Sequence, residues 1–359
     1  MHDTDATILK KTIGVVRDQR FLEHIPGLGH IESPERLKAV YERLDKGDAK
    51  GLYQTIAPRM AIKDELAWNH NKGYIERIEE TQFHNFTQLD PDTITSNGSW
   101  QAACLAVGGV FSLLDAIFSG KFSSGLALVR PPGHHAERGK AMGFCLFNNV
   151  ALGAHYARKV LGLKRVLIVD WDLHHGNGTQ DSFYHDPNIL YFSSHQYPCY
   201  PGSGAVDQIG MGDGLGFTVN CPLRPGAGDM EYAAVFRRLF LPIARAFAPE
   251  LVLVSAGFDI YKDDPLGGME VTFKGFAYLA RLLIAIAEET AEGRILFCLE
   301  GGYNHYGLAE GVYAVLRECT CDSILLPEEV YAFDTCGPGP RAIDEAIEKL
   351  EAFWPVFPH

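Results

Sequence analysis

The sequence lacks an excess of basic residues and an uninterrupted apolar run of bilayer length. Its 32 lysines and arginines stand against 45 aspartates and glutamates, so no positive surplus is available to neutralise phosphates and direct nucleic-acid binding is not expected. Glycines and Asp115 interrupt the most apolar stretch, 105–118, and no basic segment leads into an apolar core at the N-terminus. We therefore expect neither a membrane span nor a signal peptide.

A disulfide framework and interdomain linkers are also lacking. The eight cysteines are scattered, and Cys319 and Cys321 are too close in sequence for a zinc knuckle. This pattern is typical of reduced, buried thiols in a cytoplasmic protein. No repeat, low-complexity tract or Pro/Ser-rich linker divides the chain. The prediction is one domain over residues 1–359, with a main body at about 12–320 and a closing helix at about 340–357.

Short β-branched runs alternate with longer helical patterns along the chain. The expected strands are 12–16, 125–129, 165–170, 189–193, 251–255 and 294–299, and the expected helices are 99–120, 148–161 and 273–291. Ser99 is the expected N-cap of the first helix and Gly120 its terminator. Strands that alternate with helices predict a three-layer α/β fold, in which helices flank a central, mostly parallel sheet.

The most informative stretch is Asp170-Trp-Asp172-Leu-His174-His-Gly, directly after the apolar run 165–169. Residues 170, 172 and 174 alternate along an extended backbone, so their side chains point the same way from the carboxyl end of a strand. Ligands of α/β sheets bind at that edge. Two carboxylates and an imidazole there form half of a metal site. The alternative, a solvated acidic turn, is disfavoured because a buried strand leads directly into the motif.

Three further motifs follow other predicted strands. Arg130-Pro-Pro-Gly-His-His-Ala136 carries adjacent imidazoles, which can take and give a proton near neutral pH. Asp259, in Ser255-Ala-Gly-Phe-Asp259, is a candidate third metal ligand, although alone it would equally suit an N-cap or a turn. Tyr303, in Leu299-Glu-Gly-Gly-Tyr303, is a candidate hydrogen-bond donor, although alone it would more often be a half-buried aromatic.

Together these motifs resemble the zinc-dependent deacetylases of the histone deacetylase family, above all the class II enzymes and their bacterial amidohydrolase relatives. Acetylpolyamine amidohydrolases are near relatives. The resemblance extends from about residue 21 to residue 303 and is carried by 130–136, Gly143-Phe-Cys-Leu-Phe-Asn-Asn149, 170–180, Asp264-Pro-Leu266 and Glu300-Gly-Gly-Tyr303. It implies the arginase-type fold and removal of acetyl groups from lysine side chains, with release of acetate.

The resemblance also implies a role for each motif residue. One zinc ion would be bound by Asp172, His174 and Asp259. The catalytic residues would be His134, His135, Tyr303, Asp170 and Asn177, the last standing where class I enzymes carry aspartate. The substrate would contact Asp92 at the rim, Gly143, Phe144, Tyr200 and Leu266 along a narrow channel, and Gly301. Structural potassium is implied near Asp170, Asp172, His174 and Ser193 and, more remotely, near Phe183.

Arg36 belongs to Gly29-His-Ile-Glu-Ser-Pro-Glu-Arg36, which resembles the first loop of the family with Ile31 in place of a usual proline. The resemblance places Arg36 near an acetate exit. The chemistry of the other residues agrees with it, because three protein ligands leave zinc an open position for water. His135 is the expected general base, His134 the electrostatic support and Tyr303 the donor to the oxyanion.

Two other functions are disfavoured by the same residues. A two-metal ureohydrolase needs an Asp-x-His-x-Asp run and an Asp-x-Asp pair, but Gly176 and Tyr261 stand at the corresponding places. A catalytically inactive acyl-lysine reader would need an incomplete set of metal ligands, which this sequence does not show. The substrate stays open between acetyl-lysine, an acetylpolyamine and longer acyl-lysines. No long insertion lies between residues 86 and 99, but Asp90, Asp92 and the net charge of −13 are compatible with a polyamine. A homo-oligomer is also left open.

Overall fold

Within residues 11–357, which the computed structural model describes, ten strands form one large sheet and one hairpin. In chain order they are β1 (Ile13–Val16), β2 (Tyr53–Ile56), β3 (Thr87–Gln88), β4 (Ile94–Thr95), β5 (Ser124–Ala127), β6 (Val166–Asp170), β7 (Ile189–Gln196), β8 (Thr218–Leu223), β9 (Leu251–Ala256) and β10 (Ile295–Leu299). The large sheet has the order β2-β1-β5-β10-β9-β6-β7-β8, and its neighbouring strands are all parallel. The predicted parallel α/β sheet is confirmed.

Helices flank this sheet. In chain order they are α1 (Pro34–Leu44), α2 (Lys63–Leu66), α3 (Lys72–Glu80), α4 (Ser99–Phe118), α5 (Asn149–Lys159), α6 (Asn177–Phe183), α7 (Asp229–Val235), α8 (Leu241–Phe247), α9 (Phe273–Thr290), α10 (His305–Cys319), α11 (Pro327–Asp334) and α12 (Ala342–Leu350). One layer contains α4 and α5, which pack on each other and on β1, β5, β6 and β9. The other contains α9 and α10, which pack on each other and on β5, β9 and β10, with α1 against α10.

Helix α4 is long and apolar enough, by length and composition alone, to cross a membrane. Most of it is instead buried against α5, β1 and β5, so its composition reflects a place in the core of the fold. The prediction that Ser99 is the N-cap was wrong. Gly98 has that position, and Ser99 is the first helical residue, its hydroxyl 2.7 Å from Nδ1 of His24.

The main cluster of buried apolar side chains extends from Ile13 to Leu350. Helix α12, which packs on β8, is shorter than the closing helix predicted over 340–357. Residues 1–10 and 358–359, which the predicted domain includes, lie outside the described residues.

The four middle strands position the motif residues. Strands β5, β10, β9 and β6 are adjacent in the sheet, and all of their residues are buried, because Val, Leu, Ile and small residues fill both faces. Their carboxyl ends lie at one edge, so the segments that follow them converge there. Helix α10 begins two residues after Tyr303, and its N-cap Asn304 accepts at Oδ1 a hydrogen bond from the backbone N–H of Gly307 at 2.9 Å.

Candidate active site and metal centre

Asp172, His174 and Asp259 come together beyond the ends of β6 and β9. One potential ligand atom from each lies within 4.8 Å of the others. His174 Nδ1 is 3.2 Å from Asp172 Oδ1 and 3.1 Å from Asp259 Oδ2, and both carboxylates are completely buried. Two buried carboxylates need compensating positive charge. This donor set therefore fits a divalent cation such as zinc.

Glycines let the backbone approach these carboxylates closely. A Cβ atom on Gly257 would lie 2.1 Å from Asp172 Oδ2, and one on Gly301 would lie 2.3 Å from Asp259 Oδ2. The backbone N–H of Gly301 donates to Asp172 Oδ2 at 2.8 Å. Gly301, predicted to contact substrate, therefore also holds a candidate metal ligand. A side chain at either glycine would displace a carboxylate.

We expect Gly257→Ala to lower zinc affinity by about tenfold or more, although all three candidate ligand residues are unchanged. Substitutions that disturb the groups behind metal ligands typically have effects of that size. Competition with a fluorescent zinc chelator measures the affinity. The matched control is Gly73→Ala, on the exposed side of α3, where an added Cβ meets no atom within 4 Å. Equal zinc affinity in both variants would contradict the prediction.

His134 and His135 are buried side by side, with ring centroids 4.0 Å apart, but their surroundings differ. His134 Nδ1 is 3.1 Å from Asp170 Oδ2, and its Nε2 is 3.7 Å from Asp172 Oδ1. Burial lowers the pKa of His134, but Asp172 and Asp170 outweigh burial and raise this pKa to about 10. Burial and the neighbouring histidines, His134 above all, hold the pKa of His135 well below its usual value. One imidazole is thus suited to carry a charge, and the other stays neutral with a free electron pair on one ring nitrogen.

The remaining predicted members of the catalytic set contact these histidines or the segments beside them. Asp170 also accepts a hydrogen bond from the Tyr191 hydroxyl at 3.1 Å. Asn177 Oδ1 is 2.8 Å from His135 Nδ1. Strand pairing sets Asp170 opposite Ser193, two residues of the predicted potassium set, whereas Phe183 lies apart at the end of α6.

Glu300 was not assigned a role from the sequence, although it stands in the motif that ends at Tyr303. Its Oε2 accepts the backbone N–H groups of Gly133, at 2.6 Å, and His134, at 3.2 Å. Its Oε1 accepts the Ser255 hydroxyl at 3.0 Å. Burial raises the pKa of Glu300 to about 7. The carboxylate thus fixes the backbone from which the histidine pair projects.

Tyr303 is held by its backbone and by a neighbouring cation. Its N–H donates to Asp264 Oδ2 at 2.7 Å, and the guanidinium carbon of Arg36 lies 4.8 Å from the centre of its ring. Burial raises the pKa of Tyr303 well above its usual value despite Arg36, so the hydroxyl stays protonated and can donate. Arg36 itself is buried and donates to the carbonyl oxygens of Gly302 and Glu300, both at 2.6 Å.

A buried ion cluster lies behind this loop, and sequence reasoning did not identify it. Glu32 accepts hydrogen bonds from Arg36 Nη1 at 2.9 Å and from Arg130 Nη2 at 2.7 Å, and all three side chains are completely buried. Arg130 also donates to the carbonyl oxygens of Phe21, at 3.0 Å, and His24, at 3.1 Å. The Glu32 cluster, defined here as Glu32, Arg36 and Arg130, therefore ties the first loop to the motifs that follow β5 and β10.

Aromatic rings surround the approach to the histidine pair. Tyr200 lies edge-on to His135, with ring centroids 5.1 Å apart, and Phe144 lies edge-on to Tyr303 at 5.8 Å. Tyr200 and Leu266 are each 38% exposed, which places them at the protein surface, where a substrate would enter. Phe144, Tyr200 and Leu266 are the residues predicted to line the substrate channel.

Asp92 and Gly143 fix the backbone of Phe144. Gly143 has a φ of +55°, and a Cβ atom there would lie 2.3 Å from the His135 ring, so both the conformation and the space require glycine. Asp92 Oδ1 accepts the N–H of Gly143 at 3.1 Å and the hydroxyl of Thr93 at 2.7 Å. This oxygen of Asp92, predicted to hold substrate at the rim, is thus engaged within the protein.

Known proteins resemble this chain over most of its length. The family described as "Histone deacetylase domain" matches residues 30–319. "Histone deacetylase 5" of Arabidopsis thaliana is 36% identical over 96% of this chain and 54% of its own length. "Polyamine deacetylase HDAC10" of Homo sapiens is 45% identical over 79% of this chain and 43% of its own length. The chain thus spans about half the length of these curated relatives. The crystal structure of the HDA15 HD domain superimposes with a TM-score of 0.88 and 36% identity, covering 96% of both chains.

Proposed function

The chain belongs to the histone deacetylase family, and from this we propose that it is a zinc-dependent hydrolase that removes acetyl groups from lysine side chains and releases acetate. One observation carries the proposal. The candidate metal ligands Asp172, His174 and Asp259 lie beside a histidine pair whose two members have opposite pKa shifts. That combination suits the activation of water for attack on an amide.

We propose that these three residues hold one zinc ion per chain. A zinc ion held there supplies Lewis acidity toward water and toward the carbonyl of the substrate. Asp170, Asp172, His174 and Ser193 would contribute to a structural potassium site, and residues near Phe183 to a more remote one. The resemblance to the family supports these potassium sites.

The two histidines would divide the proton chemistry. His135, neutral because of burial and the neighbouring charge of His134, would take a proton from the attacking water and return it to the leaving amine. His134, charged between Asp170 and Asp172, would stabilise developing negative charge. Tyr303 would donate its hydroxyl proton in a hydrogen bond to the oxyanion. Phe144 and Tyr200 would enclose the extended side chain of the substrate.

The second candidate substrate is an acetylpolyamine. The similarity to a relative named polyamine deacetylase and the net charge of −13 favour it. The rim of the site favours acetyl-lysine instead. Asp90 is paired with Lys140 at 3.2 Å, one oxygen of Asp92 accepts hydrogen bonds from Thr93 and Gly143, and Leu266, a predicted channel residue, is apolar. Acetyl-lysine is therefore the first choice.

A side-by-side measurement of kcat/KM on an acetyl-lysine peptide, a trifluoroacetyl-lysine amide and N-acetylputrescine tests this choice. We expect the lysine substrates to be preferred, and a preference of about tenfold or more for the polyamine, which corresponds to about 1.4 kcal/mol, would reverse it. Activity should be lost on chelation and return with zinc. The variant Asp259→Asn lacks one of the three proposed ligands and is the matched control. Full activity in this variant would contradict the proposed metal site.

We also propose a cytoplasmic location. All eight cysteines lie within residues 11–357 and are free thiols there, which suits a reducing compartment. A rice relative, 37% identical, is named as chloroplastic, so a compartment can differ within the family. Fractionation of cells that express the tagged chain tests the proposal.

A further inference from the structure

The side-chain amide of Asn177 lies between His135 and Glu137. Its Oδ1 is 2.8 Å from His135 Nδ1, and its Nδ2 donates to Glu137 Oε1 at 2.9 Å and to Met142 Sδ at 3.5 Å. Asn177 and His135 are buried, whereas Glu137 is half-buried. Glu137 lines a cavity of about 290 Å³ that opens to solvent, and Asp181 lines the same cavity.

The carboxylate of Glu137 determines which way the Asn177 amide faces. A carboxylate only accepts hydrogen bonds, so the NH₂ group of Asn177 must face Glu137 and the carbonyl oxygen must face His135. If the amide were reversed, two acceptor oxygens would meet at about the observed 2.9 Å. Two facing acceptors repel each other, so that arrangement is disfavoured.

The orientation of the amide in turn decides which nitrogen of His135 carries the proton. A carbonyl oxygen also only accepts, so Nδ1 of His135 must be the protonated nitrogen. In the neutral imidazole the other nitrogen, Nε2, is then left with a free electron pair. A reversed amide would favour the opposite tautomer and leave no electron pair on Nε2 to accept a proton from water.

We propose that Glu137 is a positioning residue, which acts through the Asn177 amide to hold His135 in the Nδ1–H tautomer. The inference deepens the proposed function, on which it rests for the catalytic role of His135. Among residues 11–357, no hydrogen bond or ion pair joins the Glu137 side chain to a candidate metal ligand or a channel residue. Its effect is therefore on the base and not on metal or substrate binding.

The ¹⁵N chemical shifts of the His135 ring nitrogens, measured on the full chain loaded with zinc, report the tautomer directly. The wild-type chain should show a protonated Nδ1 and an unprotonated Nε2, with the signals assigned by their loss in His135→Phe. In Glu137→Gln the new amide can present either its oxygen or its NH₂ group, so the Asn177 amide can reverse. We expect mixed tautomers and a kcat lowered by about tenfold with little change in KM, because the base and not binding is affected.

A second substitution distinguishes this role from a merely structural one. In the double variant E137Q/N177D, the introduced aspartate can only accept, so it fixes the Nδ1–H tautomer whatever faces it. The glutamine introduced at position 137 can donate to that aspartate, so the hydrogen bond between the two positions is kept with its direction reversed. We expect the double variant to regain the wild-type ¹⁵N pattern and to come within about threefold of the wild-type kcat, a strongly non-additive result.

The matched control is Asp181→Asn, which removes another carboxylate from the lining of the same cavity and leaves the partners of the Asn177 amide in place. It should leave both the ¹⁵N pattern and kcat unchanged. A pure Nδ1–H pattern in Glu137→Gln, or no recovery in E137Q/N177D, would overturn the proposal. The ¹⁵N readout needs no substrate, so a chain without deacetylase activity would overturn the proposed function while leaving this test decisive for Glu137.

Discussion

Replacing Glu32 by glutamine should lower the free energy of unfolding by about 3–5 kcal/mol, because it leaves the buried guanidinium groups of Arg36 and Arg130 without their shared counter-charge. The three side chains are completely buried, so water cannot compensate for the lost carboxylate. The other donors of Arg36 and Arg130 already go to backbone carbonyl oxygens, which do not cancel a full charge.

Urea unfolding of the wild-type chain and Glu32→Gln, at the same zinc concentration, measures this difference. Asp45→Asn is the matched control, because Asp45 pairs with Arg17 at 2.7 Å on the surface and its side chain is 62% exposed. Surface pairs contribute less than about 1 kcal/mol, so this variant should unfold close to the wild type. Equal losses in the two variants would contradict the importance of burial in the Glu32 cluster.

Acid should remove the same contribution of Glu32 to the free energy of unfolding. Burial alone would raise the pKa of Glu32, but the charge of Arg130 and the contact with His24 hold it well below its usual value. A carboxylate whose pKa is lower in the folded chain stabilises the fold above its unfolded pKa, about 4.3 for glutamate, and this stabilisation is lost as the pH falls further. The difference in the free energy of unfolding between the wild type and Glu32→Gln should therefore be constant near neutral pH and shrink below about pH 4.

Replacing Tyr303 by phenylalanine should lower kcat about a hundredfold, since loss of one donor to an oxyanion typically costs a factor of about 10²–10³. The ring contacts with Phe144 and Arg36 would remain, so the loop should keep its shape. The zinc content should equal that of the wild type, because Tyr303 is not a candidate ligand. The value of KM should change little, since the hydrogen bond forms mainly in the transition state.

Steady-state kinetics on an acetyl-lysine peptide, together with metal analysis, checks this result. Tyr306→Phe is the matched control, because Tyr306 is 64% exposed at the start of α10 and removal of its hydroxyl leaves the site untouched. An unchanged kcat in Tyr303→Phe would remove the Tyr303 hydroxyl from the mechanism. Loss of zinc in that variant would instead indicate that the loop as a whole had moved.

The central strands of the fold could be predicted because each is a short, almost wholly apolar run. The structure places β6 and β9 within about one residue of the expected bounds. The strands at the two edges of the sheet were missed. Strand β2 (Tyr53–Ile56) has two exposed polar residues, and β8 (Thr218–Leu223) contains Asn220 and Pro222. Edge strands tolerate proline and polar residues, which hides them from a search for apolar runs.

The residues of the candidate site that carry chemistry lie in compact motifs and could be picked out from the sequence. Their supports could not. Glu32 meets Arg130 across 98 positions and Glu300 meets His134 across 166, and a glutamate in a first loop or after a strand gives no local sign of its partner. The contact of Glu300 with His134 arises only when β5 and β10 become neighbours in the sheet. Sequence patterns report local structure, whereas charge pairing inside the protein depends on topology.

The crowding of Gly257 and Gly301 against the carboxylates also bears on how active members of the family are told from inactive ones. A homologue could retain all three chelating side chains and bind its ion much more weakly because of one added methyl group. Surveys that score only the donor residues would then count an inert homologue as functional. A prediction of activity from sequence should therefore require glycine at positions 257 and 301 as strictly as the aspartates and the histidine.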